Sequence, residues 1–450
     1  MENGSWIDIY DLLLAPIYLG IIFMHAIYVK NKNIHRKPHY RFFVPAVLCK
    51  LLGGMGMCIV YTYYYKEGGD TTNYYIAAKS YVNVLYELDF SMLWKMINFR
   101  TNNIYTTGYQ IYEDTAIYFS NEDYYALLTV VLTIPFCILG AKSFIATTCL
   151  LSYFSFYGLW RLYEVFIDQF PEMSRQFAAA IFFVPSVFFW GSGILKDTYT
   201  LCALGFFTHS VYRFLIKKER KAKYLLILLS SGLAMIFIKP YIFFAIMPGS
   251  LVWIFFNRIA KIKNPILKAM ALPIMLIALA GMVLVAMEFL AEYLGEYNLD
   301  NVLNKAVKTQ QDLVRGEQYG SNNFDIGKFD ATVAGISSKI PVAINLALFR
   351  PYIWDARNPV MVLSGLENLF MLGFSIYILL KVKFNVLITS LFSHPLLIFS
   401  FLFALFFAFS VGLTTANYGA LVRLKIPCIP FYSCSLFILY FLNAASFRRR

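Results

Sequence analysis

The sequence predicts an all-α fold: a polytopic transmembrane helix bundle of about eleven spans, with interfacial helices in its outer loops. Three observations predict it. Apolar runs of span length recur along nearly the whole of the 450 residues. Hydrophobic residues make up 59% of the chain and charged ones 14%, a balance that a soluble protein of this length cannot bury. Tyrosines gather at the ends of the runs, where a ring with a polar tip suits the membrane interface.

The first run, residues 10 to 29, follows an N-terminus with no basic leader and no small-residue cleavage site, so it reads as a retained span. The second, 42 to 65, contains Lys50, which must snorkel or else precede the span proper. Four more runs follow at 124 to 140, 143 to 160, 176 to 194 and 198 to 216. The run at 224 to 256 is broken at Lys239-Pro240 into two short helices, because proline cannot continue the hydrogen-bond ladder. Runs at 265 to 288, 360 to 380, 395 to 413 and 425 to 444 complete the set.

Orientation comes from charge. The basic connections at 30 to 41, 217 to 223, 257 to 264 and 381 to 383, with the terminal arginines, are cytoplasmic by the positive-inside rule. The two long polar stretches, 66 to 123 and 289 to 340, carry most of the acidic residues and face outward as the first and second outer loops of a single integral-membrane domain. Four crossings between 124 and 216 would put the 217 to 223 connection on the wrong side, so one of those runs must be re-entrant, interfacial or fused to its neighbour. Within 82 to 98, Val82, Leu85, Tyr86, Phe90, Leu93, Trp94 and Ile97 recur near helical spacing and predict an amphipathic surface helix. Residues 289 to 315 read as the extension of a span.

The net charge of +13 is accounted for by these cytoplasmic connections and requires no nucleic acid partner. Seven cysteines lie in or beside apolar runs without metal-ligand spacing and read as small core residues. No phosphate loop, nucleophile elbow or dinucleotide fingerprint is present.

Several polar residues fall on the outer face by the same bookkeeping. They are Asp70 in GGDTTNYY, Lys196 and Asp197 in GSGILKDTY, Lys239, the Arg350, Asp355 and Arg357 of LFRPYIWDARNP, and Asn417 and Arg423. Glu367 lies about two turns into the next span. Each has a plain alternative. Asp70 fits a turn and helix cap, Lys196 and Asp197 fit an interfacial ion pair, and Arg350 and Arg423 fit helix-end anchors. Taken together they suit a lipid carrier, whose tails stay in the bilayer while its phosphate meets Lys and Arg at the interface. Transfer of a sugar from that phosphate needs a carboxylate near the acceptor hydroxyl, and Asp70 has the access for it.

Three pieces carry a family resemblance. GGDTTNYY resembles the first outer loop of the membrane-embedded GT-C glycosyltransferases, PSVFFWGSGILKD resembles a later span whose outer end carries an acidic residue, and GALVRLKIPCIPF resembles the Arg-x-(Arg/Lys)-x-Pro-x-x-Pro opening of a late span. The resemblance implies a polyprenyl-phosphate-linked sugar as donor and a glycan, lipid or protein as acceptor. It makes Asp70 the base or metal-linked carboxylate, Asp197 a second catalytic residue, and Arg423 with Lys425 the holders of donor phosphate. Lys196, Lys239, Arg350 and Asp355 complete the expected substrate contacts. A divalent ion, Mg or Mn, is the one cofactor this implies, with Asp70 as its ligand. The chain departs from the family in having one acid where many members have two, and in an additional span before the first outer loop.

Three other functions fit the sequence, one of them a non-enzymatic assembly subunit. A polymerase or ligase of lipid-linked polysaccharide would use the long second outer loop and the outward tyrosines. A flippase or transporter would need two related halves, and the broken span at Lys239-Pro240 has no evident counterpart. The expected location is a bacterial inner membrane, with multiple crossings; an internal eukaryotic membrane satisfies the same physics.

Overall fold

The computed structural model describes residues 6–65, 68–86, 124–263, 270, 274, 323–327, 329–330, 332–357 and 359–448. Among these the secondary structure is helical throughout, with no strand and one isolated bridge, Asn323 to Asn417. Beyond Tyr86 the expected surface helix at 82 to 98 lies outside the described residues, as do nearly all of the 265 to 288 run and the 289 to 315 extension.

Among the described residues five helices are long and apolar enough to cross a membrane: Ile9–Ile34, Pro38–Tyr64, Met361–Lys381, Pro395–Thr414 and Cys428–Ala445. A sixth span is formed if Ala126–Leu139 and Phe144–Gln169, bent by 111° at their junction, count as one. That bend occupies Gly140 to Ser143, where Ala141 and Lys142 both take positive φ (52° and 60°) and so turn the chain out of the helix. The 176 to 194 run does not form one helix. It splits into Ser174–Phe182 and Pro185–Trp190, because Pro185 forces Val184 into an extended conformation (φ −77°, ψ 121°).

The chain divides into two compact units, Met1–Ser210 with Arg220–Pro240, and Val211–Glu219 with Tyr241–Arg450. The first contains α1 (Ile9–Ile34), α2 (Phe43–Ile59), α3 (Asp70–Tyr86), α4 (Tyr124–Leu139), α5 (Phe144–Gln169), α6 (Ser174–Phe182), α7 (Pro185–Trp190), α8 (Lys196–Ser210) and α9 (Ala222–Ile238). Helix α5 is its axis and packs on α1, α2, α4 and α8. Trp160 of α5, 1% exposed, anchors an aromatic core with Tyr40, Phe43 and Tyr163 at 4.9, 4.8 and 5.2 Å between ring centroids.

Apolar burial distinguishes helices from one another poorly inside a lipid phase, so close backbone approach has to help hold them together. Gly158 of α5 faces Cys202 of α8, and Gly205 of α8 faces Gly158; a Cβ at either position would run into the opposing carbonyl oxygen. Gly53 does the same for α2, lying directly against the Phe188 carbonyl of α7.

The two ends of this unit differ in charge. At one end the 30 to 41 connection meets the C-terminal halves of α5 and α8, where Glu164 pairs with Arg161 (2.5 Å), Lys37 (3.6 Å) and His209 (4.0 Å). At the other end Asp11 of α1 accepts hydrogen bonds from the Ser143 hydroxyl (2.5 Å) and the Ile145 amide (3.1 Å), at the opening of α5. A carboxylate is favoured there by the exposed amides and the dipole of the helix it caps.

Lys50 is 2% exposed within α2. Its ammonium donates to the Gly191 carbonyl at the C-terminal end of α7, so the charge neither snorkels nor precedes the span. A cation at that end answers carbonyls left without intrahelical partners.

The second unit contains α10 (Pro240–Ala260), α11 (Val333–Ser338), α12 (Ile340–Phe349), α13 (Pro359–Lys381), α14 (Phe384–Ser393), α15 (Pro395–Thr414), α16 (Tyr418–Leu424) and α17 (Cys428–Arg448). Helix α15 is central here, packed between α12 and α17. Phe399 and Phe403 on α15 meet Phe431 of α17 at 5.8 and 4.7 Å, and Trp253 of α10 stacks on Phe399 at 4.6 Å. Helices α13 and α17 run parallel, joined from Ser375–Tyr432 (2.8 Å) down to the Asn443 amide on the Lys381 carbonyl (3.2 Å).

Candidate functional site

The expected site residues fall into two groups, one in each unit. In the first unit the local sequence Gly68-Gly69-Asp70 sets the entry to α3. Gly68 takes φ +84°, a conformation that favours glycine. The Thr72 hydroxyl then accepts from the Gly69 amide (2.8 Å) and donates back to the Gly69 carbonyl (2.9 Å), closing the turn. Asp70 is left as the first residue of a 17-residue helix, half-buried, with its carboxylate in the first turn where the helix dipole favours negative charge.

The turn ahead of α8 lies against this entry. A Cβ on Gly193 would stand 3.4 Å from the Thr71 hydroxyl and 2.6 Å from Met57, while Met57, Tyr61 and Leu195 form one buried apolar cluster. Thr71 is fully buried, and its hydroxyl has no hydrogen-bond partner among the described residues. The Ser152 hydroxyl holds the Ser192 carbonyl (2.6 Å) and the Thr198 hydroxyl holds that of Gly193 (2.6 Å), so the turn is fixed from both sides.

Lys196 and Asp197 open α8 directly after it. Lys196 is half-buried, whereas the Asp197 side chain is 1% exposed and pairs with Lys239 at 2.5 Å. Lys239 caps the C-terminus of α9, its own amide bonded to Met235. The pair therefore sets a carboxylate at a helix N-terminus against an ammonium at a helix C-terminus, the arrangement both dipoles favour. Asp70, Lys196, Asp197 and Lys239 are thus gathered at the end of the unit opposite to Lys37 and Glu164.

In the second unit Arg350 makes two parallel hydrogen bonds to Asp355 (2.9 and 2.7 Å), and Asp355 also accepts from the Tyr352 amide (2.8 Å). The guanidinium lies over the rings of Tyr352 and Tyr418, 5.2 and 5.3 Å from their centroids. Burial works to raise the Asp355 carboxyl, but the bonds from Arg350 and Tyr352 outweigh it and hold the group below the usual carboxylate range. Burial pushes the Tyr418 hydroxyl up to about 12.

Lys425 is fully buried and donates to the Asn368 side chain (2.6 Å) and the Arg350 carbonyl (3.2 Å). Asn368 donates in turn to the Pro351 carbonyl (3.0 Å), so the two side chains fasten the 350 to 352 segment. Arg423, in the last turn of α16, is half-buried and Arg357 is exposed. Asn417 caps α16 through the amides of Gly419 and Ala420 (2.8 and 3.2 Å). The structure thus joins Arg350 to Asp355 and Lys425.

Sequence reasoning did not single out Thr71, Asn368, Tyr352 or Tyr418. Tyr352 and Thr71 carried a signal, each lying within a quoted polar segment; Tyr418 and Asn368 carried none beyond adjacency to Asn417 and Glu367.

All seven cysteines are free thiols. Among the described residues no three His, Cys, Asp or Glu side chains group where they would hold a metal ion. Comparison with known protein families, with curated proteins and with solved structures returns no match.

Proposed function

We propose that this chain is an integral-membrane glycosyltransferase that moves a sugar from a polyprenyl-phosphate donor to a glycan, lipid or protein acceptor on the outer face. The observation that carries the proposal is the division of labour between two carboxylates at one end of the first unit. Asp197 is buried and neutralised by Lys239, while Asp70 stands half-buried in the first turn of α3 beside the same turn of chain. One acid is committed to structure, and the other retains access to an acceptor.

In this reading the Asp70 carboxylate takes the proton from the acceptor hydroxyl as its oxygen attacks the sugar C1. The bond from C1 to the phosphate oxygen breaks, its electron pair leaves with the polyprenyl phosphate, and the anomeric configuration inverts. Lys196, in the first turn of α8, would meet the departing negative charge together with the helix N-terminus.

Arg423 is the expected donor-phosphate contact of the second unit. Arg350, Asp355 and Lys425 are expected to position its loop, since their hydrogen-bonding groups engage one another. About eleven crossings in all belong to the same proposal. Support for more than six comes from the 21 continuous helical residues at 196–216 and from the shorter apolar helices Ala222–Ile238 and Pro240–Phe256. The cell envelope of a bacterium, at its inner membrane, is the location that fits.

The test is transfer of radiolabelled sugar by the purified protein from synthetic polyprenyl-phosphate donors. Transfer from one monosaccharide donor supports the proposal. No transfer from any of them by well-folded protein replaces it with the polymerase, ligase or flippase reading.

A further inference from the structure

The second unit contains a groove of about 670 Å³ between α12, α13, α14, α15 and α17, remote in role from the charged cluster just described. We propose that it holds one acyl chain of an anionic phospholipid whose headgroup sits at Lys381 and Lys383.

The lining is hydrocarbon and aromatic except for the Tyr432 hydroxyl, and that group is already paired with Ser375 at 2.8 Å. A water molecule or a peptide backbone finds no partner in such a slot, so an occupant must be apolar along its length. On α15 the lining runs from Ile398 to Phe409, eleven residues further on. At 1.5 Å per residue this is roughly 16 Å, about the depth of one leaflet of a ~30 Å hydrocarbon core. Helices α13, α15 and α17 contain candidate spans, which places the groove at hydrocarbon depth. Its rim opens sideways, since Leu379 and Phe406 are 62% and 47% exposed.

Charge complementarity names the lipid. Val382 lines the groove, and the residues on either side of it, Lys381 and Lys383, are both exposed. Helix α14 begins at once and turns Leu387 and Leu391, one helical turn apart, onto the groove while Asn385 and Thr389 face outward. Such a short amphipathic helix lies along an interface, and two lysines at its start attract a phosphate there. A chain entering beside Val382 would keep its headgroup within reach of both ammonium groups.

Native mass spectrometry of the purified full chain tests this, with phosphatidylglycerol, phosphatidylcholine and undecaprenyl phosphate as separate probes. We expect one tightly retained phosphatidylglycerol, weaker phosphatidylcholine, and an approximately 30-fold loss for phosphatidylglycerol alone in Lys381→Ala/Lys383→Ala, at about fivefold per surface lysine. Leu402→Trp, which fills the groove, should abolish retention of both. Equal binding of the two phospholipids, or wild-type binding by a folded Leu402→Trp, overturns the proposal. So does displacement of phosphatidylglycerol by undecaprenyl phosphate that ignores the lysine variant, which would make the groove a site for an isoprenoid tail. The lysine variant is a surface change and decides the question even where the tryptophan variant fails to fold. Because the readout is lipid retention, the outcome is separate from that of the transfer assay.

Discussion

Lys239→Met removes the cation from beside a carboxylate whose side chain is 1% exposed, at a position where the ammonium itself is 9% exposed. The Asp197 charge then stays in a site built for a pair, and breaking one side of a buried pair costs about 3–5 kcal/mol. Set against a typical total stability of roughly 5–15 kcal/mol, that is a large share of what holds a protein folded. Methionine keeps most of the volume of lysine, so little of the loss comes from a cavity. The double variant Asp197→Asn/Lys239→Met removes both charges and should recover most of the loss, giving a coupling on the order of 2–3 kcal/mol in the double-mutant cycle. The assay is reversible unfolding in mixed micelles with increasing SDS, followed by tryptophan fluorescence. A Lys239→Met variant within ~0.5 kcal/mol of wild type, or single effects that simply add, would refute the claim that the pair is buried and mutually dependent.

Gly158→Leu should prevent stable assembly of α5 on α8, because even its Cβ would run into the Cys202 carbonyl; the overpacking cost is at least ~1–3 kcal/mol, whereas Gly373→Ala, with nothing within 4 Å of its Cβ, should be neutral or gain up to ~1 kcal/mol. Thermal aggregation of the two variants side by side checks this. The Asp355 carboxyl is depressed in the folded state, so its stabilising contribution is fully present above its unfolded value near ~3.9 and is lost as pH falls through the lower folded value. Unfolding measured from pH 6 to pH 3 should therefore show a steeper fall in wild type than in Asp355→Asn. If Arg423 holds donor phosphate, Arg423→Ala raises the KM for donor at least ~10-fold and leaves the KM for acceptor within ~2-fold; equal effects on both would assign it a purely structural role.

The helical, membrane-type architecture was legible because lipid imposes it: a spanning chain must satisfy its backbone internally, and apolar runs of span length reveal where it does so. The gathering of Asp70, Lys196, Asp197 and Lys239 at one end was legible from topology and charge alone. What remained hidden depends on contacts between distant segments. Nothing near Lys50 in the sequence indicates that the Gly191 carbonyl, 141 residues away, accepts its hydrogen bond. Residues 176 to 194 read as one apolar run, and hydropathy does not register that Pro185 and the small residues Gly191 and Gly193 break it so that α7 can lie against Gly53. Lys425 carried the expectation of a phosphate contact from its neighbours in sequence, whereas its burial and its bonds to Asn368 and the Arg350 carbonyl follow from how α13 and α17 pack.

The most direct test of the central claim is the rate of sugar transfer by Asp70→Asn beside wild type, at matched protein level, membrane insertion and unfolding midpoint. The account predicts a loss of at least ~100-fold in kcat with little change in KM for the donor, as removal of a general base requires. Transfer within a few-fold of wild type would contradict it and reduce Asp70 to the cap of α3.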